Sequence, residues 1–332
     1  MGKEAYHRPV MVREVVARLV RRAGIYIDGT LGGGGHSLAI LQALRDKGLE
    51  KSSFLIGIDQ DSFAIAEAEK TLASFRERTR LVQGNFREMA GIVNALRESE
   101  LRGMEVTGIL LDLGVSSFQI DTSERGFSYL RSGPLDMRME PDEGQSATDI
   151  VNTFEERELA NIFFRFGEEK KSRRIASAIC SWRNERGVIT GTQELAAIVR
   201  SVFSVPNQQI KSLSRIFQAL RIVVNDELGA LEEALKEGAA SLSPQGRIAV
   251  MSYHSIEDRM VKYYFRTLAA DDWGPKGVGL REPLHKAAFT LVTRKPLIAG
   301  DEEVNENPRA RSAKLRVIER KMYAGEVSES DS

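Results

Sequence analysis

The sequence predicts an α/β fold, a doubly wound parallel sheet interrupted by an all-helical insert. Three observations carry this. A short apolar run, Ile25-Tyr26-Ile27, meets a glycine-rich turn, Asp28 to His36, and then a helical pattern, Ser37 to Leu44. Short apolar runs then alternate with helical patterns as far as Leu111, as expected of parallel strands joined by crossover helices. From Asp121 to about Ser214 only helical patterns remain, before a strand pattern returns at residues 246–252.

Residues 12–22 read as an amphipathic helix with Val12, Val15, Val16, Leu19 and Val20 on one face. Residues 25–27 form the first strand, and 38–44 the helix after the glycine turn. The run 54–58 is too short for a helix and stops at Asp59-Gln60-Asp61, which makes it the second strand. A helix over 63–75, a third strand and its exit over 79–86, and a helix over 90–101 follow. The fourth strand, 106–111, ends at Asp112-Leu113-Gly114. The insert contains helices over 147–153, 155–166, 171–186 and 192–202, and a long helical region covers 215–242. The fifth strand spans 246–252, a helix 255–268, and a closing pair of strands 288–292 and 314–318. The expected domains are 1–120 with 215–324, an insert over 121–214, and a polar, disordered tail over 325–332.

In such sheets ligands sit off the carboxyl ends of the strands. Asp28, Asp59, Asn85-Phe86 and Asp112 all lie there, so four loops are expected to converge on one crevice. The turn holds four glycines in a row, Gly32 to Gly35, and opens a helix whose free N–H groups point into it. It does not match the dinucleotide pattern G-x-G-x-x-G, because Ser37 and Leu38 stand where the last glycine is needed. It does not match the phosphate loop either, because Gly34 is followed by Gly35 and His36 and no lysine. Acidic residues at the turn and at the second strand suit a ligand with a positive centre, an ammonium and a ribose. S-adenosylmethionine is such a ligand.

Composition excludes several classes. The chain has 332 residues, 42% hydrophobic and 28% charged, as expected of an ordinary soluble protein. A single cysteine, Cys180, excludes a disulfide framework and a cysteine-based zinc site and fits a reducing compartment. No metal-ligand spacing occurs, so no metal is expected. No long uncharged apolar run occurs, and the start lacks a signal-peptide pattern, so the expectation is cytoplasmic with no membrane partner. Lys plus Arg and Asp plus Glu both number 47, so any nucleic-acid binding rests on local patches.

Several stretches together resemble the MraW (RsmH) family of 16S ribosomal RNA cytosine-N4 methyltransferases. They are His7-Arg8-Pro9-Val10, residues 28–37, Asp112-Leu113-Gly114-Val115-Ser116-Ser117 with Gln119 and Asp121, and Arg125-Gly126-Phe127-Ser128. Leu135-Asp136-Met137-Arg138-Met139, Gly167-Glu168-Glu169, Phe217-Gln218-Ala219-Leu220-Arg221-Ile222, His254-Ser255-Ile256-Glu257-Asp258-Arg259 and Asn307-Pro308-Arg309-Ala310-Arg311-Ser312 continue the series. Each is weak alone; their order and number are specific. Three places depart from the family: Ile210 to Arg215 replaces a His-Pro-Ala-Thr-like stretch, Gln245-Gly246 replaces Gly-Gly, and Tyr253 stands in a Ser-Phe-His-Ser sequence. The last two read as conservative.

The resemblance implies a class I, Rossmann-like methyltransferase sheet with a helical insert. It implies S-adenosylmethionine contacts at Gly34, Gly35, His36, Asp59, Phe86, Asp112 and Gln119. It also implies a target cytosine in the decoding region, within an assembled or nearly assembled small subunit. Asp59 is placed for both ribose hydroxyls, Phe86 for a face of the adenine or for the core, and Asp112 for the chemistry. A cytosine amine is a poor nucleophile and becomes cationic as it attacks, so a nearby carboxylate can stabilise it. The stretch Asp112-Leu113-Gly114-Val115 lacks the prolines and aromatic common to amino-methyltransferases, so a pure cofactor contact stands beside the catalytic role.

For the RNA, Lys170, Lys171, Arg173 and Arg174 form one basic cluster and Arg309, Arg311, Lys314 and Arg316 another, with Arg131 and Arg138 at the insert's opening loop. Phe127 or Tyr129 is placed to stack on an unpaired base. His254 either faces the substrate or is a satisfied buried histidine. Two rivals stand beside this reading: a non-catalytic ribosome assembly factor that keeps the fold, and a methyltransferase acting on DNA or a small molecule. The sequence leaves monomer and homodimer both open.

Overall fold

The computed structural model describes residues 9–114, 122–140, 144–275 and 281–322. The chain divides into two compact units, 1–114 with 230–332, and 115–229.

The first unit is built on strands β1 (Ile25–Asp28), β2 (Phe54–Asp59), β3 (Thr79–Gln83), β4 (Val106–Asp112), β5 (Leu242–Ser252), β6 (Phe289–Leu291) and β7 (Lys314–Arg320). They form one sheet in the order β3-β2-β1-β4-β5-β7-β6. β1 to β5 run parallel, and β7 is antiparallel to both β5 and β6. The order progresses one way from β1 to β3 and the other way from β4 to β5. The carboxyl ends of β1 and β4 therefore flank the topological switch point, where ligands of doubly wound sheets bind.

Side chains alternate faces along a strand. Ile25, Ile27, Ile56, Ile109, Leu111, Ile248 and Val250 fall on one face, and Tyr26, Leu55, Leu110, Ala249 and Met251 on the other. Both faces are buried, which explains the near-continuous apolar runs. The first is covered by α4 (Met89–Glu98) through Met89 and Val93, and by residues Leu231 and Leu235 of the helix Glu227–Ser241. The second is covered by α1 (Val12–Leu19), α2 (Gly35–Asp46) and α3 (Ser62–Thr71), through Leu19, Ile40, Leu44 and Ala68. Each such Leu, Ile, Val or Met side chain contributes about 1.5–3 kcal/mol by leaving water.

β5 starts earlier than its pattern suggests, and its pairing with β4 slips between Leu242 and Arg247. Gln245 lies in this bulge with φ 62, a left-handed conformation that costs a side-chain-bearing residue energy.

The second unit holds α5 (Ala147–Thr153), α6 (Glu156–Gly167), α7 (Ser172–Arg186), α8 (Thr192–Ser201) and α9 (Pro206–Val224). Its core includes Phe127, Leu159, Phe163, Ile175, Leu195, Ile216 and Leu220. The expected boundary at 214/215 differs from the observed one at 229/230. The reason is α9, which starts at Pro206, a residue suited to the first helical position, and buries Leu213, Ile216 and Phe217 in the helical core. The long helical region expected over 215–242 is two helices, α9 and α10 (Glu227–Ser241). The break falls where Asn225 bonds the Met139 amide (2.7 Å) and the Met137 carbonyl (2.8 Å), and Asp226 takes φ 46.

Among the described residues no helix is long and apolar enough to cross a membrane. Gln119 and the tail 325–332 lie outside the described residues.

Candidate active site

β1, β2 and β4 each finish on a carboxylate, Asp28, Asp59 and Asp112. Asp28 is fully buried. It accepts hydrogen bonds from the Ser37 hydroxyl (2.7 Å) and the Thr30 amide (3.3 Å). Burial pushes its ionisation above the usual carboxylate range and Asp112 adds to this, while His36 and the two hydrogen bonds oppose it. Asp28 thus ties the strand to both limbs of the turn.

Asp59 Oδ2 accepts from the Gly32 amide (2.8 Å), and Oδ1 from the Asp61 amide (2.9 Å). Burial pushes the carboxyl up to about 6, with Asp61 and Asp28 contributing and the two amides opposing. An ionised carboxylate offers about four acceptor positions, so roughly two stay open, one on each oxygen.

Asp112 is fixed by neighbours from separate elements. Its amide donates to Thr30 Oγ1 (2.6 Å), and its Oδ1 accepts weakly from the Gly114 amide (3.4 Å). Its Oδ2 lies 3.7 Å from Nδ1 of His36. The buried His36 ring meets the Val10 carbonyl through Nε2 at 2.8 Å. A carbonyl only accepts, so Nε2 carries a hydrogen. The Tyr253 ring, just past β5, lies against the exit of β4, where a Cβ on Gly114 would stand 2.7 Å from Tyr253 Cε2.

The glycines divide by role. Gly34 is the N-cap of α2 with φ 79, and a Cβ there would lie 3.3 Å from Ala68. A Cβ on Gly35 would lie 2.9 Å from Pro9. Both are required by what packs against them. The open part of the turn is Gly32, φ 50, where the nearest atom to an added Cβ is the Thr30 carbonyl oxygen at 4.0 Å. Phe86 opens the one-turn helix Phe86–Glu88, which Asn85 caps by accepting from the Arg87 amide (3.1 Å). The ring is half-buried. Gly34, Gly35, His36, Asp59, Phe86 and Asp112 therefore share the carboxyl edge of the sheet.

The residues expected to meet RNA fare differently. Phe127 is a correction: its ring is buried in the helical core with Leu135 and Met137, so it presents no face for stacking. Tyr129 is half-buried, edge-on to Phe217 at 5.5 Å, with its hydroxyl 2.9 Å from that of Ser214. Arg138 makes a bidentate pair with Asp136, 2.8 Å on each arm. His254 is the N-cap of α11 (Ser255–Leu268), its Nδ1 accepting from the Glu257 amide (3.4 Å). Its Nε2 lies 3.0 Å from Glu257 Oε1, without hydrogen-bonding alignment. The ring is turned into its own helix start.

Arg309 is half-buried and Arg311 exposed, in the 3₁₀ turn Pro308–Ser312 that leads into β7. Because β7 starts opposite the end of β5, both stand on the carboxyl edge. In the same cluster Arg316 and Lys314 pair with Asp258 at 2.7 and 3.5 Å. In the helical unit Lys170, Arg173 and Arg174 are exposed, and the Lys171 ammonium sits 4.3 Å from the Phe203 ring centre.

Thr30 and Ser37 are the functional candidates that sequence reasoning missed. Their partners are distant in sequence or set by backbone geometry, and no spacing signals them.

A profile of the MraW methylase family matches residues 4–321. The chain is 91% identical over 332 residues, all of both chains, to a protein of Chlorobium phaeobacteroides (strain BS1) named ribosomal RNA small subunit methyltransferase H. It is 64% identical to a protein of the same name from Prosthecochloris aestuarii, over 98% of each. Among solved structures, a putative rRNA methylase from Clostridium thermocellum aligns over 93% of this chain and 94% of its own, at 13% identity and a TM-score of 0.37.

Proposed function

The chain belongs to the MraW methylase family, and from that premise we propose that it methylates the N4 amine of one cytosine in the decoding region of 16S ribosomal RNA. Its relatives' names support the substrate class; the base and the amine rest on the site chemistry and the resemblance.

The cofactor is S-adenosylmethionine, which supplies a methyl group activated by a sulfonium. The site's donor set fits it. Asp28, Asp59 and Asp112 crowd negative charge at one sheet edge, where Asp112 raises the ionisation of Asp28 and Asp28 that of Asp59. A cation placed among them relieves that repulsion. This convergence of three strand-end carboxylates beside the open Gly32 corner is the observation that carries the reading.

Asp59 takes the two ribose hydroxyls on its open acceptor positions. Phe86 would lie against the adenine. Asp112 faces the incoming amine. As the amine's lone pair leaves conjugation with the ring, positive charge grows on nitrogen, and the carboxylate stabilises it and accepts its hydrogen bond. Holding amine and methyl in line supplies much of the acceleration. The target base must be unpaired or swung out to enter. The helical unit contributes RNA recognition, with the exposed Lys170, Arg173 and Arg174 placed for phosphates, and Arg309 and Arg311 do the same at the β7 start. The enzyme works in the cytoplasm, on the small subunit.

The test is incubation of the protein with labelled S-adenosylmethionine and small subunits, free ribosomal RNA or DNA, followed by nucleoside digestion and mass identification. N4-methylcytidine from small-subunit RNA is expected. Label only in DNA, or in another nucleoside, overturns the proposal. No binding of the cofactor by calorimetry favours the assembly-factor alternative.

A further inference from the structure

We propose that Thr30 is a positioning residue for methyl transfer. Its hydroxyl fixes the main chain of Asp112 and so locks the carboxylate that faces the amine to the turn that holds the cofactor. The inference rests on the strand ends being the methyl-transfer site.

β1 and β4 pair in parallel as far as Asp28 and Leu110. The ladder adds one more rung, from the Gly29 amide to the Leu110 carbonyl at 3.0 Å. The next donor facing that side is the Asp112 amide, which needs an acceptor from the continuation of β1, where the chain is already turning. The Thr30 hydroxyl supplies it, accepting from the Asp112 amide at 2.6 Å. On the other side, the Leu113 amide donates to the Met251 carbonyl of β5 at 2.9 Å. The end of β4 is thus held by main chain toward β5 and by one side chain toward β1.

Thr30 is itself fixed. Its amide donates to Asp28 Oδ1 at 3.3 Å. The two residues after it are tied to β2, the Leu31 amide to the Ile58 carbonyl at 3.0 Å and the Gly32 amide to Asp59 Oδ2 at 2.8 Å. The branch at its Cβ stiffens the first side-chain torsion, so the oxygen has little freedom left to lose.

The Asp112 carboxylate has weaker support of its own. It meets His36 Nδ1 at 3.7 Å and the Gly114 amide at 3.4 Å, both long. Its place therefore follows from where its main chain lies. The glycine turn and the carboxylate come from different strands, and the Thr30 hydroxyl is the bond that keeps them in one geometry. Without it the Asp112 amide loses its acceptor, and a part-buried donor in that state shifts toward another partner. A misplacement of about 1 Å costs up to about a hundredfold in rate, so this bond acts on the chemical step.

Thr30→Val keeps the shape and the branch and removes the acceptor. Thr30→Ser keeps the oxygen. The experiment compares the wild-type chain with both variants, each with Asp112 intact and as Asp112→Ala. It uses small subunits and saturating S-adenosylmethionine under single-turnover conditions that keep slow variants measurable. Calorimetry gives the cofactor affinity, and urea unfolding checks the fold. Thr30→Val is expected to lower the rate of methyl transfer about tenfold while the affinity for S-adenosylmethionine stays within about threefold. Thr30→Ser is expected to restore the rate to within about threefold of wild type. In the Asp112→Ala background Thr30→Val is expected to change nothing further, because no carboxylate remains to be placed. Should Thr30→Val not fold, Thr30→Ala takes its place in each comparison.

An unchanged rate without the hydroxyl overturns the proposal, as does an equal loss in Thr30→Ser, the same loss in both backgrounds, or a loss confined to cofactor affinity. An inactive wild-type chain instead removes the methyl-transfer reading, and this inference with it. An active wild type with any of those four outcomes removes the inference alone.

Discussion

The Gly32 amide donates to Asp59 Oδ2 at 2.8 Å, so the residue that ends β2 also pins the turn that follows β1. One carboxylate shapes the glycine corner and keeps acceptor positions open beside it. Disturbing Asp59 should therefore act on the cofactor first.

Asp59→Ala removes a charged acceptor for two hydroxyls. Hydrogen bonds to charged groups contribute about 1.5–3 kcal/mol each, so losing two should lower the affinity for S-adenosylmethionine by roughly 150-fold or more. Isothermal titration calorimetry measures this. An unchanged affinity shows that the ribose is held elsewhere.

The affinity should also depend on pH. Burial raises the Asp59 carboxyl to about 6, so it is ionised above that value and protonated below. A protonated carboxyl offers fewer acceptors, so affinity should be flat above about pH 7 and weaken as pH falls through 6, by at most about tenfold per unit. In the unliganded protein the sign reverses. The folded state holds this proton more tightly than the unfolded chain, so the group favours folding in acid and that contribution is lost as pH rises from about 4 through 6. Calorimetry from pH 5 to 8 on wild type and Asp59→Asn checks it, approximate limits chosen to bracket the titration; the variant should show no such dependence.

Gly34→Ala places a Cβ on a residue at φ 79, 3.3 Å from the backbone of Ala68. The left-handed penalty of about 1–2 kcal/mol should appear as a lower midpoint in urea, with a matching drop in cofactor affinity because the turn and α2 shift together.

Gln245→Gly should do the opposite. Gln245 sits at φ 62 in the β5 bulge, away from the carboxyl edge. Relieving that conformation should stabilise the protein by roughly 0.5–1 kcal/mol, offset in part by glycine's greater freedom when unfolded. The urea midpoint should rise while methyl transfer is unchanged.

Phe127→Ala should act on stability and leave RNA affinity alone. The ring is buried in the helical core, and truncating such a ring costs about 3–5 kcal/mol. Thermal melts should show the loss. Filter binding to ribosomal RNA, at a temperature where the variant stays folded, should show the wild-type salt dependence.

Most strands and helices were legible because both faces of the sheet are buried, so Phe54 to Ile58 and Val106 to Leu111 read as apolar runs and the helices between as amphipathic stripes. The carboxylates at the strand ends were legible for the same reason: Asp28, Asp59 and Asp112 are where each apolar run stops. The start of α9 at Pro206 was readable from proline's preference for a first helical turn, but its burial in the helical core depends on tertiary contacts. Phe127 shows the limit. An aromatic in a polar loop suggests an exposed stacking face, and only the packing around Leu135 and Met137 reveals otherwise. Ser37 and Thr30 were invisible as site residues because a hydroxyl's partner follows from distance in space. The departures at 245 and 253 read as conservative in composition, yet one takes a left-handed backbone and the other lays its ring against Gly114.

Neighbouring strands β4 and β5 are separated in the chain by the whole helical unit. During synthesis the half-finished sheet β3-β2-β1-β4 must wait with its β4 border unpaired until β5 emerges. At about 5–20 residues per second, that wait is on the order of ten seconds. A strand as apolar as Ile109-Leu110-Leu111 invites pairing with another nascent chain for that whole interval. The insertion point therefore sets the length of that exposure, and slowing translation across residues 115–229 should prolong it.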